Sequence, residues 1–302
     1  MSLFERVHMP SFVGATGWLN SEPLDAADLR GRVVLVNFWT LTCINWLRQE
    51  PYVRAWSRAY RDDGLVVIGV HTPEFSFEHE VERIRPAVAV REIDYPVAID
   101  NDYGVWSAFA NHYWPALYFV DREGMISDQH FGEGRYEQSE RVLQQLLGIE
   151  REPVSVEGVG IEAPADWDNL RTPETYLGSA RGERRTTGEP RLNRWSLSGE
   201  WTSGRENVVA DEAGASIAFR FHARDAHLVL SPGAHGPIPF KLSLDGEAPG
   251  AARGGDVDAD GAGELREGRL YQLIREPGLI RERTLEITFL EPGAEAYAFT
   301  FG

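Results

Sequence analysis

The sequence predicts an α/β domain over residues 1–150, a linker or packing arm over 151–175, and an all-β sandwich of jelly-roll type over 176–302. Three observations carry this reading. Apolar β-branched runs alternate with helix-period segments as far as Leu147, the pattern of a sheet covered by helices. Pro153, Pro164 and Pro173, set among acidic residues, then break the periodicity, as linkers do. From Glu200 onward, short alternating stretches are divided by Gly, Pro and Asp turns, the punctuation of a β-sandwich.

Residues 4–32 read as loop, with short strands near Ala15–Leu19 and a turn or one helical turn at Leu24–Leu29. Val33–Trp39 is a continuous apolar run and predicts a buried strand. A helix follows from Cys43 to about Tyr60, with Leu47, Val53 and Trp56 at helical spacing and a kink expected at Pro51. Leu65–Val70 predicts a second buried strand, after the turn Asp62-Asp63-Gly64, and His71–Phe75 a loop at its end. Glu78–Arg91 reads as a helix kinked or divided at Pro86, Pro96–Ile99 as a third strand and Tyr103–Ala110 as a short helix. Ala116–Val120 and Met125–Phe131 form a hairpin across Asp121–Gly124. Tyr136–Leu147 is an amphipathic helix closed by Gly148. In the second half, strands are expected at Ser216–Phe221, His227–Leu230, Phe240–Leu244, Leu270–Ile274, Leu285–Leu290 and Tyr297–Phe301. Ligands of such α/β sheets meet at the strand C-terminal ends. That rule gathers Trp39–Cys43, His71–Glu74 and the Trp114-Pro115 turn in one neighbourhood.

Composition excludes some function classes. A net charge of −17 argues against nucleic acid and against an anionic membrane surface. No apolar run reaches the length of a membrane-spanning helix. The stretch MSLFERVHMP has no basic region leading into an apolar one, so no signal peptide is expected and the chain as given reads as cytoplasmic. A fragment of a larger membrane protein would instead be extracytoplasmic, and Met1–Leu3 has the character of a cloning remnant. With one cysteine in 302 residues, no disulfide within the chain is available to hold the fold. No His, Cys or Asp cluster has metal-ligand spacing, and no cofactor or metal is expected. The run Asp256–Gly261 resembles a calcium loop, but it lacks the closing ligand of that motif and reads as an acidic turn.

The chemistry centres on Cys43. A buried strand ends at Trp39, the turn Thr40-Leu41-Thr42 follows, and a helix begins at the sulfur. Unpaired N–H groups and the helix dipole favour a thiolate there. Three residues on stands Trp46, so the motif reads Cys43-Ile44-Asn45-Trp46. The stretches FWTLTCINWLR, LVVIGVHTPEF, DNDYGVWSAF, YWPALYFVDREG and HFGEG, in this order, resemble the thioredoxin-like redoxin family. Within it they resemble the soluble C-terminal region of DipZ-type thiol–disulfide proteins. The likeness spans about residues 10–148, and RLYQLIR and AYAFTFG extend it into the carbohydrate-module-like domain that follows in those proteins. The resemblance implies a thioredoxin-like fold and a nucleophile at Cys43. It further implies a cis-proline at Pro115, which opens the backbone of Trp114 to a substrate strand. Trp46 departs from the family pattern, where a second cysteine stands. The resolving half of a dithiol reaction therefore needs an outside thiol.

Three readings of Cys43 stay open. It is an attacking thiolate in a single-cysteine thiol–disulfide oxidoreductase, acting on a protein or low-molecular-weight thiol or disulfide. Alternatively the cysteine is buried and inert, and a degenerate redoxin domain binds a protein or a glycan. In the third, weaker reading Thr40-x-x-Cys43 echoes the peroxidatic motif and the protein is a thiol peroxidase, although Val36 stands where that motif begins with proline. Thr42, Trp46, Trp114 and Pro115 are the candidate substrate-binding residues, with Trp46 covering or gating the sulfur. His71 and Glu74 are candidate acid/base groups. Tyr113 has a packing role beside the proline, or lines a peptide groove. His112 and His130 read as structural. Trp195 and Trp201 are candidate sugar platforms on the sandwich, against the commoner role of such rings in a core.

Overall fold

The computed structural model describes residues 7–234 and 236–302; the Met1–Leu3 stretch lies outside them. Two compact units divide between Glu162 and Ala163, within the proline-bearing stretch.

In the first unit the strands are β1 (Gly17–Leu19), β2 (Val33–Trp39), β3 (Leu65–His71), β4 (Val97–Ile99), β5 (Ala116–Val120) and β6 (Ile126–Phe131). The helices are α1 (Ile44–Tyr60), α2 (Val81–Val90), α3 (Gly104–Ala108) and α4 (Tyr136–Leu147). The sheet runs β1-β4-β3-β2-β5-β6. Pairs β2–β3 and β3–β4 are parallel, and β1, β5 and β6 join antiparallel. This is a thioredoxin-like mixed sheet.

All residues of β2 are buried, which follows from cover on both faces. Val34, Val36 and Phe38 point into a core with Val105 and Phe109 from the α3 side. Leu35, Asn37 and Trp39 alternate to the opposite face, where Asn37 bonds Gln49 of α1 at 2.9 Å and Trp39 stacks on Trp46. Helices α1 and α4 are joined by Glu140, which accepts from the Trp56 indole at 2.9 Å and from the Tyr60 hydroxyl.

Several elements differ from the sequence expectation. His71 closes β3 and is buried, instead of opening a loop. Pro51 lies inside α1 without ending it. Its missing N–H leaves one carbonyl unbonded, and the buried inner face holds the helix across the gap. The expected helix at Glu78–Arg91 divides ahead of Pro86: a 3₁₀ turn covers Ser76–His79, and α2 starts at Val81.

In the second unit the strands are β7 (Thr175–Tyr176), β8 (Arg194–Ser198), β9 (Trp201–Ser203), β10 (Val208–Ala210), β11 (Ser216–Phe221), β12 (Asp225–Ser231), β13 (Ile238–Leu244), β14 (Ala262–Leu265), β15 (Arg269–Arg275), β16 (Arg283–Phe289) and β17 (Glu295–Phe301). One antiparallel sheet runs β15-β12-β17-β10-β9, with β7 on β17, and the other runs β11-β16-β13-β14. Ile217, Phe219, Phe240, Ile287 and Phe299 meet in one core. Trp195 belongs to that core at 1% exposure, with its indole N–H bonded to the Glu183 carbonyl at 2.7 Å. It takes the core role rather than that of a sugar platform. Trp201 packs edge-on against Phe289. In the acidic turn, Asp256 pairs with Arg269 at 2.6 Å, and Asp258 accepts from the Ala262 N–H at 2.8 Å.

Candidate active site

The β-sheet register sets the site. Trp39 pairs with His71, and His71 with Ile99. Phe38 pairs with Ala116, so Pro115 enters beside the end of β2. The segments after β2, after β3 and before β5 therefore share one end of the sheet. The Trp114–Pro115 peptide bond is cis.

Cys43 is the N-cap residue of α1, with extended backbone (φ −74°, ψ 110°). Its carbonyl accepts the first helical bond from Leu47 at 3.0 Å, and its own N–H donates to the Thr40 carbonyl at 3.3 Å. The residue is half-buried. The first turn of α1 carries no acidic side chain, so the positive end of the helix dipole at the sulfur is not offset from within the helix.

The turn that presents Cys43 is held by Glu78, which is fully buried. One carboxylate oxygen accepts from the Thr42 N–H and the Thr42 hydroxyl, both at 2.9 Å. The other accepts from the Thr40 hydroxyl at 2.8 Å and from the Glu74 and Phe75 N–H groups at 2.8 and 2.9 Å. Burial pushes the Glu78 carboxyl up, while bonds from Phe75, Thr40 and Glu74 pull it back. A single carboxylate thus clamps the loop before Cys43 to the loop after β3. The sequence reading missed this role. A carboxylate 36 residues from its threonine leaves no local signal, and Glu78 reads only as the start of a helix.

The other candidates sort by geometry. Thr42 is buried, and both its N–H and its hydroxyl donate to Glu78, so it positions the loop. Thr40 donates its hydroxyl to the same carboxylate at 2.8 Å. Glu74 contributes its backbone N–H to the clamp. Trp46 is wholly buried, stacked on Trp39 with centroids 4.1 Å apart and with the Arg91 guanidinium 5.6 Å from its ring. It sits in the core with no exposed face. His71 is also wholly buried, edge-on to Trp39 at 4.7 Å. Burial pushes its imidazole down to about 3, which favours the neutral ring. His130 is likewise buried and shifted down by burial.

An aromatic ledge adjoins Pro115. Trp114 is half-buried; it stacks near Trp106 at 4.3 Å and donates its indole N–H to the Thr72 carbonyl at 3.0 Å. Tyr113 is 56% and Phe131 37% exposed, with ring centroids 5.1 Å apart. The Gly132 N–H donates to the Pro115 carbonyl at 2.8 Å and ties the ledge together.

Comparison with known proteins agrees with this architecture. Residues 7–129 match the AhpC/TSA family, and residues 172–302 match the family described as thioredoxin-like C-terminal domain. Protein DipZ of Mycobacterium bovis is 36% identical over 240 residues, which cover 73% of this chain and 34% of DipZ. The chain thus spans about a third of that relative's length. The thiol–disulfide oxidoreductase YkuV of Bacillus subtilis is 30% identical over 129 residues, 43% of this chain and 85% of YkuV. A solution structure of an oxidised thioredoxin-like protein, 29% identical, aligns over 48% of this chain and 98% of its own with a TM-score of 0.44. Among the described residues, no helix is long and apolar enough to cross a membrane.

Proposed function

From the premise that this chain is a thioredoxin-like redoxin domain followed by a thioredoxin-like C-terminal domain, we propose that it is a thiol–disulfide oxidoreductase working through the single thiol of Cys43. The observation that supports the reading is Cys43 at the N-terminus of α1, at the end of the sheet where the cis Trp114–Pro115 bond leads into β5 and where Tyr113 and Phe131 are exposed. The Cys43 thiolate attacks one sulfur of a substrate disulfide. A new bond forms between Cys43 and that sulfur, the substrate bond breaks, and the other sulfur leaves as a thiolate. An outside thiolate then attacks the mixed disulfide, takes the substrate sulfur into a new disulfide, and returns Cys43 as a thiolate. Tyr113, Trp114 and Phe131 offer the apolar edge on which an extended disulfide-bearing segment lies.

The test is to incubate the native protein with oxidised glutathione and a disulfide-containing peptide. The expected result is one mixed disulfide per chain, located at Cys43, which persists until an external thiol is added. A native protein that forms no adduct, while the urea-unfolded chain does, would remove the reading and leave a domain that binds without turnover.

A further inference from the structure

A second set of chemically capable groups lies behind α1, outside the clamp that holds Cys43. On the inner face of α1, Trp46 and Glu50 are four residues apart and both wholly buried, as neighbours on one helix face. Across from them stand Trp39 of β2, His71 of β3, and Tyr95 ahead of β4, all buried. The rings of Trp39, Trp46 and His71 are in contact. A Cβ placed on Gly69 of β3 would sit 2.9 Å from the Trp39 indole nitrogen and 3.2 Å from the Tyr95 ring, so those two groups converge on one point of the strand. Burial pushes the Tyr95 hydroxyl well above its usual range, and the Glu50 charge adds to the rise.

None of the polar atoms of this set has a hydrogen-bond partner on another residue. They are the two indole nitrogens, both Glu50 oxygens, both His71 ring nitrogens and the Tyr95 hydroxyl. A buried polar atom left dry costs more than an ordinary internal hydrogen bond contributes. Several such atoms together would cost a sizeable part of the net stability of a domain, even with Arg54 3.6 Å from one Glu50 oxygen. The set mixes donors, the indoles and the hydroxyl, with acceptors, the carboxylate and one imidazole nitrogen. A molecule that satisfies both kinds in a confined interior is water, which in such sites makes about three hydrogen bonds to buried polar groups.

We propose that Trp39, Trp46, Glu50, His71 and Tyr95 enclose a buried cluster of water molecules behind α1, with Glu50 as its proton-exchanging acid. Charged groups surround it from every packed element. Arg54 and Arg58 come from α1 itself, Arg91 from the end of α2, Asp94 from the turn before β4, and Glu162 from the segment that ends the first unit. Arg54 lies 3.6 Å from a Glu50 oxygen, and Arg91 pairs with Glu162 at 3.0 Å. His79 faces His71 from the 3₁₀ turn. Burial pushes the Glu50 carboxyl up to about 7; Arg54, Arg91 and Arg58 hold it from rising further, and Glu162 adds to the rise. The proposal does not depend on disulfide exchange at Cys43.

The linkage to stability has a definite sign. In the unfolded chain Glu50 loses its proton near 4.5, and in the folded chain near 7. The contribution of its neutral form is complete below 4.5 and is lost as pH rises through 7. Wild type should therefore lose stability relative to Glu50→Gln between those pH values.

The direct test is NMR on the full chain, with glutamate carboxyl carbons and tryptophan indole nitrogens labelled. The expected result is one carboxyl that titrates near 7 and is missing from Glu50→Gln, with the indole protons of Trp39 and Trp46 in contact with long-lived water. Tyr95→Phe, which keeps the ring, should displace the Glu50 titration. A Glu50 carboxyl that titrates near 4.5 in the wild type, or native indole protons without contact to long-lived water, would overturn the proposal. Both readings come from the wild-type protein and do not require any variant to fold.

Discussion

Replacing Glu78 by alanine is expected to destabilise the first domain by at least about 2 kcal/mol, because a hydrogen bond to a charged group contributes about 1.5–3 kcal/mol. The carboxylate accepts from Thr40, from Thr42 twice, and from the Glu74 and Phe75 N–H groups. Alanine removes the shared acceptor of these donors, of which the Glu74 N–H keeps a second, longer bond to the Thr40 hydroxyl at 3.3 Å, and each donor left unpaired carries its desolvation cost. Water entering the space left by the side chain recovers part of that cost. Glu78→Gln should fall between wild type and alanine, because it keeps one acceptor oxygen but turns amide protons toward protein donors. Urea unfolding followed by circular dichroism checks the ranking. A loss below about 1 kcal/mol, the net worth of one ordinary hydrogen bond, would show that the clamp is not what holds the turn. The same variant should let Cys43 sample more positions, so that mixed-disulfide formation slows although the thiol itself is retained.

Trp46→Ala is expected to cost about 3–5 kcal/mol, as for other large aromatic deletions in cores. Trp46 is wholly buried and stacked on Trp39, and alanine cannot fill its space. Trp46→Cys leaves a similar void, but it also restores two thiols at the spacing of the dithiol pattern. That variant should be less stable than wild type by a comparable amount. It should nevertheless release its mixed disulfide without an outside thiol, because the new sulfur attacks from one helical turn away. Unfolding curves and release kinetics measure the two effects separately. A Trp46→Ala protein as stable as wild type would mean that the ring is an exposed gate, contrary to its burial. A Trp46→Cys protein that still needs external thiol would mean that position 46 does not face Cys43.

Much of the fold can be read from the chain because its signals are local. The run Val33–Trp39 is apolar without interruption, as a strand buried on both faces must be, and Tyr136–Leu147 shows a single apolar stripe. The junction of strand and helix at Cys43 follows from these neighbours alone. Trp46 was harder. The buried face of α1 includes Trp46, Glu50, Val53 and Ser57, and a glutamate and a serine on it hide the pattern that would have turned Trp46 inward. His71 ends a strand whose alternate residues Val67 and Gly69 face the same side, but a histidine after an apolar run reads as the start of a loop. The Glu78 clamp joins segments distant in sequence, and one chain by itself does not say which threonine a carboxylate will meet. Strands β7, β9 and β10 have only two or three residues each, too few for any period to show.

The central claim is that the helix N-terminus activates the thiol of Cys43. The most direct measurement is the rate of alkylation at a fixed, mildly acidic pH for the native protein and for the same chain unfolded in urea. A helix terminus stabilises a negative charge by about 0.3–1 kcal/mol, which corresponds to a thiolate population about two- to fivefold larger. Native Cys43 is therefore expected to react about two- to fivefold faster than the unfolded cysteine, despite its partial burial. Native protein that reacts more slowly than the unfolded chain would contradict the account, because a reactive site cannot be less available than a random coil.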